Sequence, residues 1–169
     1  MAGSSDKPKA LTVLQALNLA VQHHSAGRLS EAESVYRQIL QSHPDQIDAL
    51  HLLGAIANQV GKNDIAIDLI TKAIAIKPDF AEAHNNLGNA LGKLGRAVES
   101  EASYRRALEI NPDYADALYN LGSYNLRVGK LDEARMQLER AVTLKPDFSD
   151  AHYNLGNALL DQGTVDGAI

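Results

Sequence analysis

Between Pro78 and Pro112 the small and apolar residues recur at helical spacing. Ala83, Leu87, Leu91 and Leu94 form one row; Ala97, Val98, Tyr104, Ala107, Leu108 and Ile110 form a second after Gly95. Neither row alternates, so the stretch predicts two helices and no strand. The pattern then recurs on either side at a step of 34 residues, carried by Pro44, Pro78, Pro112 and Pro146. One glycine series, Gly27, Gly61, Gly95, Gly129 and Gly163, keeps the same step. A second series, Gly54, Gly88, Gly122 and Gly156, does so too, with Ala20 in the matching place of the first copy. Self-similarity at a fixed step of this size marks a repeat array, each unit a helix, a turn, a helix and a turn.

The unit boundaries have their own chemistry. Proline cannot continue a helix, so each proline closes one unit. Asp45, Asp79, Asp113 and Asp147 follow the prolines and precede Asp48, Glu82, Asp116 and Asp150 by three residues. That predicts a capping box with aspartate as the cap, and it puts negative charge at the positive end of the helix dipole. The first glycine series suits a helix end with left-handed backbone. The second lies inside a helix, where glycine costs about 1 kcal/mol against alanine. Ala20 indicates that this place needs smallness, because another helix passes close by.

These residues resemble the tetratricopeptide repeat (TPR). The matching residues are Leu87, Gly88, Leu91, Tyr104, Ala107 and Pro112 in one copy, then Leu121, Gly122, Ala134, Ala141 and Pro146 in the next. Ser100 departs from Ala32, Ala66 and Ala134 of the other copies, and the chain has no tryptophan. The resemblance implies an all-α, right-handed superhelical solenoid of antiparallel helix pairs. Residues 1–10 are expected to form a loose tail and 11–169 the solenoid, with copies at about 13–46, 47–80, 81–114 and 115–148 and a partial one at 149–169. Because the fifth copy stops shortly after Gly163, Ala158, Leu159 and Val165–Ile169 are expected to lack cover, as in a piece of a longer protein. Such an end would let chains stack end to end as homo-oligomers.

Composition narrows the partners. A net charge of −5 with no basic run argues against nucleic acid and anionic membranes. No cysteine is present, so disulfides and thiolate metal sites are excluded. No apolar run approaches membrane-spanning length and no apolar signal core opens the chain, so cytoplasm is the expected compartment. No cofactor is implied. Gly88, Gly92 and Gly95 follow no strand, and Gly61-Lys62-Asn63 lacks the spacing of a phosphate loop. His23, His24, His43, His51, His84 and His152 show no zinc spacing; His84 and His152, in matching places, are expected to pack between copies.

In the resembled family the first helix of each copy lines a concave groove. Here one register holds Asn18, Leu52, Asn86, Asn120 and Asn154, and one turn later come Val21, Ala55, Asn89, Ser123 and Asn157. One residue before the first set stand Leu17, His51, Asn85, Tyr119 and Tyr153. Amides both donate and accept, so a ladder of them clasps the backbone of an extended peptide with little regard to its sequence. Tyr119 and Tyr153 add flat, rigid contact area. The alternative reading is that asparagine is simply a tolerated polar residue there. Leu52 interrupts the ladder, which puts continuous clasping in doubt near the first two copies.

The phrases NNLGNAL at Asn85–Leu91 and YNLGNAL at Tyr153–Leu159 also resemble the superhelical arm of bacterial O-linked N-acetylglucosamine transferases. There the arm selects protein substrates and a separate domain carries the chemistry. The basic residues that other members use to hold a C-terminal carboxylate have no counterpart, since their places in the fifth copy hold Asp150 and Asn154. The leading expectation is a non-enzymatic scaffold that binds a protein or peptide segment in its groove. A substrate-selecting arm of a larger transferase and a self-assembling structural module are the alternatives.

Overall fold

The computed structural model describes residues 11–166, with side chains to residue 163. The described residues form nine helices and no strand: α1 (Val13–Ser25), α2 (Leu29–Ser42), α3 (Ile47–Gln59), α4 (Asn63–Ile76), α5 (Ala81–Lys93), α6 (Ala97–Ile110), α7 (Ala115–Arg127), α8 (Leu131–Leu144) and α9 (Ser149–Asp166). The expected loose tail at 1–10 lies outside them. Each odd-numbered helix through α7 pairs with the helix after it, and each even-numbered helix packs on the first helix of the next copy. Among the described residues α3, α5, α7 and α9 also touch in succession, whereas no pair of second helices packs to that extent. Crowding along one side and spreading along the other bends the row, with the first helices on the inside.

Stability comes from local clusters strung along the row rather than from one centre, as in repeat arrays generally. Leu17, Ala20, Tyr36, Ile39, Leu53 and Ile56 bury one cluster; Ala57, Ile70, Ala83 and Ala90 bury the next; Leu118, Leu138, Ala141 and Ala158 bury a third. The small residues inside the helices are explained by the same packing. A Cβ built on Gly54 would lie 2.6 Å from Ile70 Cγ1, one on Gly88 2.5 Å from Tyr104 Cε1, and one on Gly122 2.8 Å from Leu138 Cγ. Ser100, the departure from alanine, is buried and donates its hydroxyl to the Gly88 carbonyl oxygen at 2.7 Å.

Three expectations need correction. Gly27, Gly61, Gly95 and Gly129 have φ of 73–80°, but Gly163 does not turn the chain, because α9 runs on to Asp166. Elsewhere the helix that starts two residues after this glycine folds back on the one before it and holds the turn. The aspartates after the prolines are not caps. The caps are Gln46, Phe80 and Tyr114, of which only Gln46 uses its side chain, accepting from the Ala49 amide at 2.7 Å. Asp48, Glu82 and Asp116 do sit in the first turn, so the dipole argument stands without the box. A capping box does lie at Thr12 and Gln15, at the start of α1.

His84 and His152 reach back to the prolines that close the preceding copies. Each bonds through Nε2 at 2.9 Å to the carbonyl of the proline six residues back, Pro78 or Pro146, and so clips the connection to its own helix. Lastly, Ala158 is covered, by the cluster around Leu118 and Leu138, while Leu159 is exposed; the side chains of Val165–Ile169 lie outside the described residues.

Candidate partner groove

The inner helices are locked to one another by polar side chains that bridge successive copies. The Asn86 amide nitrogen lies 2.8 Å from His51 Nε2. One copy on, the Asn120 amide donates to Asn85 Oδ1 at 2.9 Å, and the Asn154 amide donates to Ser123 Oγ at 2.8 Å. The ladder is therefore not a row of idle amides. Each rung spends one of its amide hydrogens on the copy before it, and each bond contributes about 0.5–1.5 kcal/mol. Asn89 is engaged as well, accepting at Oδ1 from the Tyr104 hydroxyl at 2.8 Å.

Burial sorts the candidate residues. His51 is 7% and Asn85 4% exposed, so both lie beneath the groove surface and act as anchors for the next rung. Asn86, Asn89, Asn120, Ser123, Asn154 and Asn157 are half-buried, and Tyr153 is 71% exposed. Tyr119 is half-buried against Phe148, with ring centroids 4.7 Å apart. Asn18 is exposed on α1, away from the others. Of these, Asn89, Tyr119, Asn120 and Ser123 come together in one open cleft of about 500 Å³ between α5 and α7.

The same cleft holds residues that sequence reasoning did not single out: Asn58, Lys93, Tyr124 and Arg127. The signal was present, since Lys93 and Arg127 stand 34 residues apart at matching helix ends. A second device was also missed. Phe80, Tyr114 and Phe148 recur at the repeat step, and the two phenylalanines pack on the inner helix of the preceding copy, Phe80 tilted on His51 at 4.6 Å and Phe148 on Tyr119. Tyr114 stands beside Asn85 in the corresponding place; burial first, then Asp116 and Glu82, push its hydroxyl up to about 12.

His51 gives this region a pH dependence. An asparagine amide nitrogen only donates, so Nε2 of His51 accepts and the ring is neutral. Burial pulls its pKa below the usual 6.5, against the opposing influence of Glu82 and Asp48. The unfolded chain therefore takes up a proton here as the pH falls through about 6.5, and the folded chain only further down. Stability from this site is full above that pH and declines below it. Melting measured from about pH 7.5 down to about pH 5 is expected to show that decline, and His51→Asn to lessen it, since asparagine already serves this place at Asn85. An identical acid-side loss in the variant would contradict the assignment.

With the geometry in place, the class of protein follows: a helical repeat solenoid with a polar inner groove. Models described as "Tetratricopeptide repeat" match residues 79–147 and 13–38, and one described as "TPR repeat" matches 58–95. The chain belongs to the tetratricopeptide-repeat family. Among solved structures it is similar to MamA, at 27% identity and a TM-score of 0.74, covering 88% of this chain and 86% of that one. It is similar to an O-GlcNAc transferase of Thermobaculum terrenum, at 28% identity and a TM-score of 0.74, over 78% of this chain but only 26% of that one. It is also similar to the first TPR of Spaghetti (RPAP3), solved bound to the HSP90 peptide SRMEEVD, at 25% identity and a TM-score of 0.66, covering 70% and 94%.

Proposed function

We propose that this chain is a non-enzymatic interaction module whose inner groove receives an extended segment of a partner protein. The observation that carries the reading is the cleft of about 500 Å³ between α5 and α7, open and lined by amide, hydroxyl and aromatic side chains. Such a lining offers donors and acceptors to a peptide backbone and flat surfaces to its side chains. The related first TPR of Spaghetti, solved with a bound peptide, supports the same use of the fold. Asn86, Asn89, Tyr119, Asn120, Ser123, Tyr153, Asn154 and Asn157 are the contact residues in this reading, with His51 and Asn85 holding them in place. Selection from a displayed library of random peptides tests it: the protein is expected to enrich binders that compete with one another for a single site. A protein that retains no peptide would contradict it.

The second reading is a substrate-selecting arm of a larger glycosyltransferase. Its support is the similarity to the Thermobaculum enzyme, of whose length this chain spans about a quarter. It requires that the gene encode a catalytic domain in the same polypeptide, and a reading frame without one would remove it.

A further inference from the structure

Lys93 and Arg127 end α5 and α7 at the same place in consecutive copies, and both line the inner cleft. Neither has a carboxylate within 4.0 Å; the ion pairs among the described residues all involve other cations. Both are nonetheless held. Lys93 donates from Nζ to the Asn58 carbonyl oxygen at 2.8 Å, near the end of α3, and the Arg127 guanidinium lies over the Tyr124 ring at 5.6 Å. The matching places hold Ser25 and Gln59 in the earlier copies and Asp161 in the next, so the positive stretch is confined to this cleft. In a chain of net charge −5 that local reversal of sign is a selecting feature, because it favours an anion at this cleft.

We infer that the cleft between α5 and α7 takes an acidic side chain, aspartate or glutamate, of the extended segment that occupies the groove. Arg127 supplies a fork of donors matched to a carboxylate, Lys93 adds a point charge, and the Asn120 and Ser123 side chains stand beside them. The inference rests on the groove reading above and adds the chemistry of the occupant. It is distinct from capture of a chain-terminal carboxylate, since it calls for a carboxylate within the segment and uses residues at the far end of the inner helices.

The test uses peptides selected from a displayed library of random twelve-residue sequences, measured by fluorescence anisotropy on the full chain. Selected peptides are expected to be enriched in Asp and Glu, and the best of them to bind Lys93→Gln/Arg127→Gln about tenfold or more weakly. Its counterpart with the acid replaced by Gln or Asn is expected to bind both proteins alike, at that weaker level. Circular dichroism establishes that the variant is folded; both replaced side chains are on the surface. Peptides that lose binding to Asn86→Ala/Asn120→Ala/Asn154→Ala, yet bind Lys93→Gln/Arg127→Gln undiminished, overturn the acidic occupant and leave the groove standing. Peptides indifferent to both variants, or a library that yields none, overturn the groove reading and this inference with it.

Discussion

Gly88→Leu is expected to destabilise the protein by about 1–3 kcal/mol, and Gly156→Leu to cost far less. The two glycines hold the same place in their copies, so helix propensity is common to both. What differs is the neighbour. A Cβ at Gly88 falls 2.5 Å from the Tyr104 ring, and Tyr104 has little freedom to retreat, being buried and bonded through its hydroxyl to Asn89. A Cβ at Gly156 meets nothing within 4 Å. The extra methylenes of leucine at Gly88 must push α5 and α6 apart, which breaks the Ser100 hydroxyl bond to the Gly88 carbonyl as well. Urea titration of the two variants checks this; equal losses would show that the place is sensitive for its backbone and not for its packing.

Asn86→Ala/Asn120→Ala/Asn154→Ala is expected to abolish capture of a groove-selected peptide, and this is the largest effect on binding that the structure leads to. From the sequence alone the triple variant promises lost binding with an untouched fold. The bonds to His51, Asn85 and Ser123 change that expectation. Each substitution removes a bridge between copies, and those at His51 and Asn85 leave a buried acceptor unsatisfied, so melting is expected to fall as well. Binding and stability are separated by measuring capture well below the melting point of the variant. Capture equal to wild type there would contradict the role given to the three amides.

What was legible in the sequence was what the backbone demands. Proline ends a helix wherever it stands, four glycines take a φ that other residues avoid, and three more admit a crossing helix; these demands placed the helices and their pairing. The groove was legible only as a set of registers. Whether a residue in a register faces a partner or its own neighbour depends on contacts 31–35 residues away, and those decide that His51 and Asn85 are buried while Asn86 and Asn120 are half-exposed. The aromatic residues at Phe80, Tyr114 and Phe148 were visible at the repeat step, but their role needs the preceding copy in place. Gly163 shows the converse: the residue that turns the chain in four copies remains helical in the fifth.

The most direct measurement is an amide NMR titration of the uniformly labelled chain with a selected peptide. The account predicts that the shifted signals belong to α3, α5, α7 and α9, strongest around Asn89, Lys93, Asn120 and Ser123, with the outward faces of α4, α6 and α8 unmoved. Shifts concentrated on those outer helices, or confined to one end of the row, would contradict it.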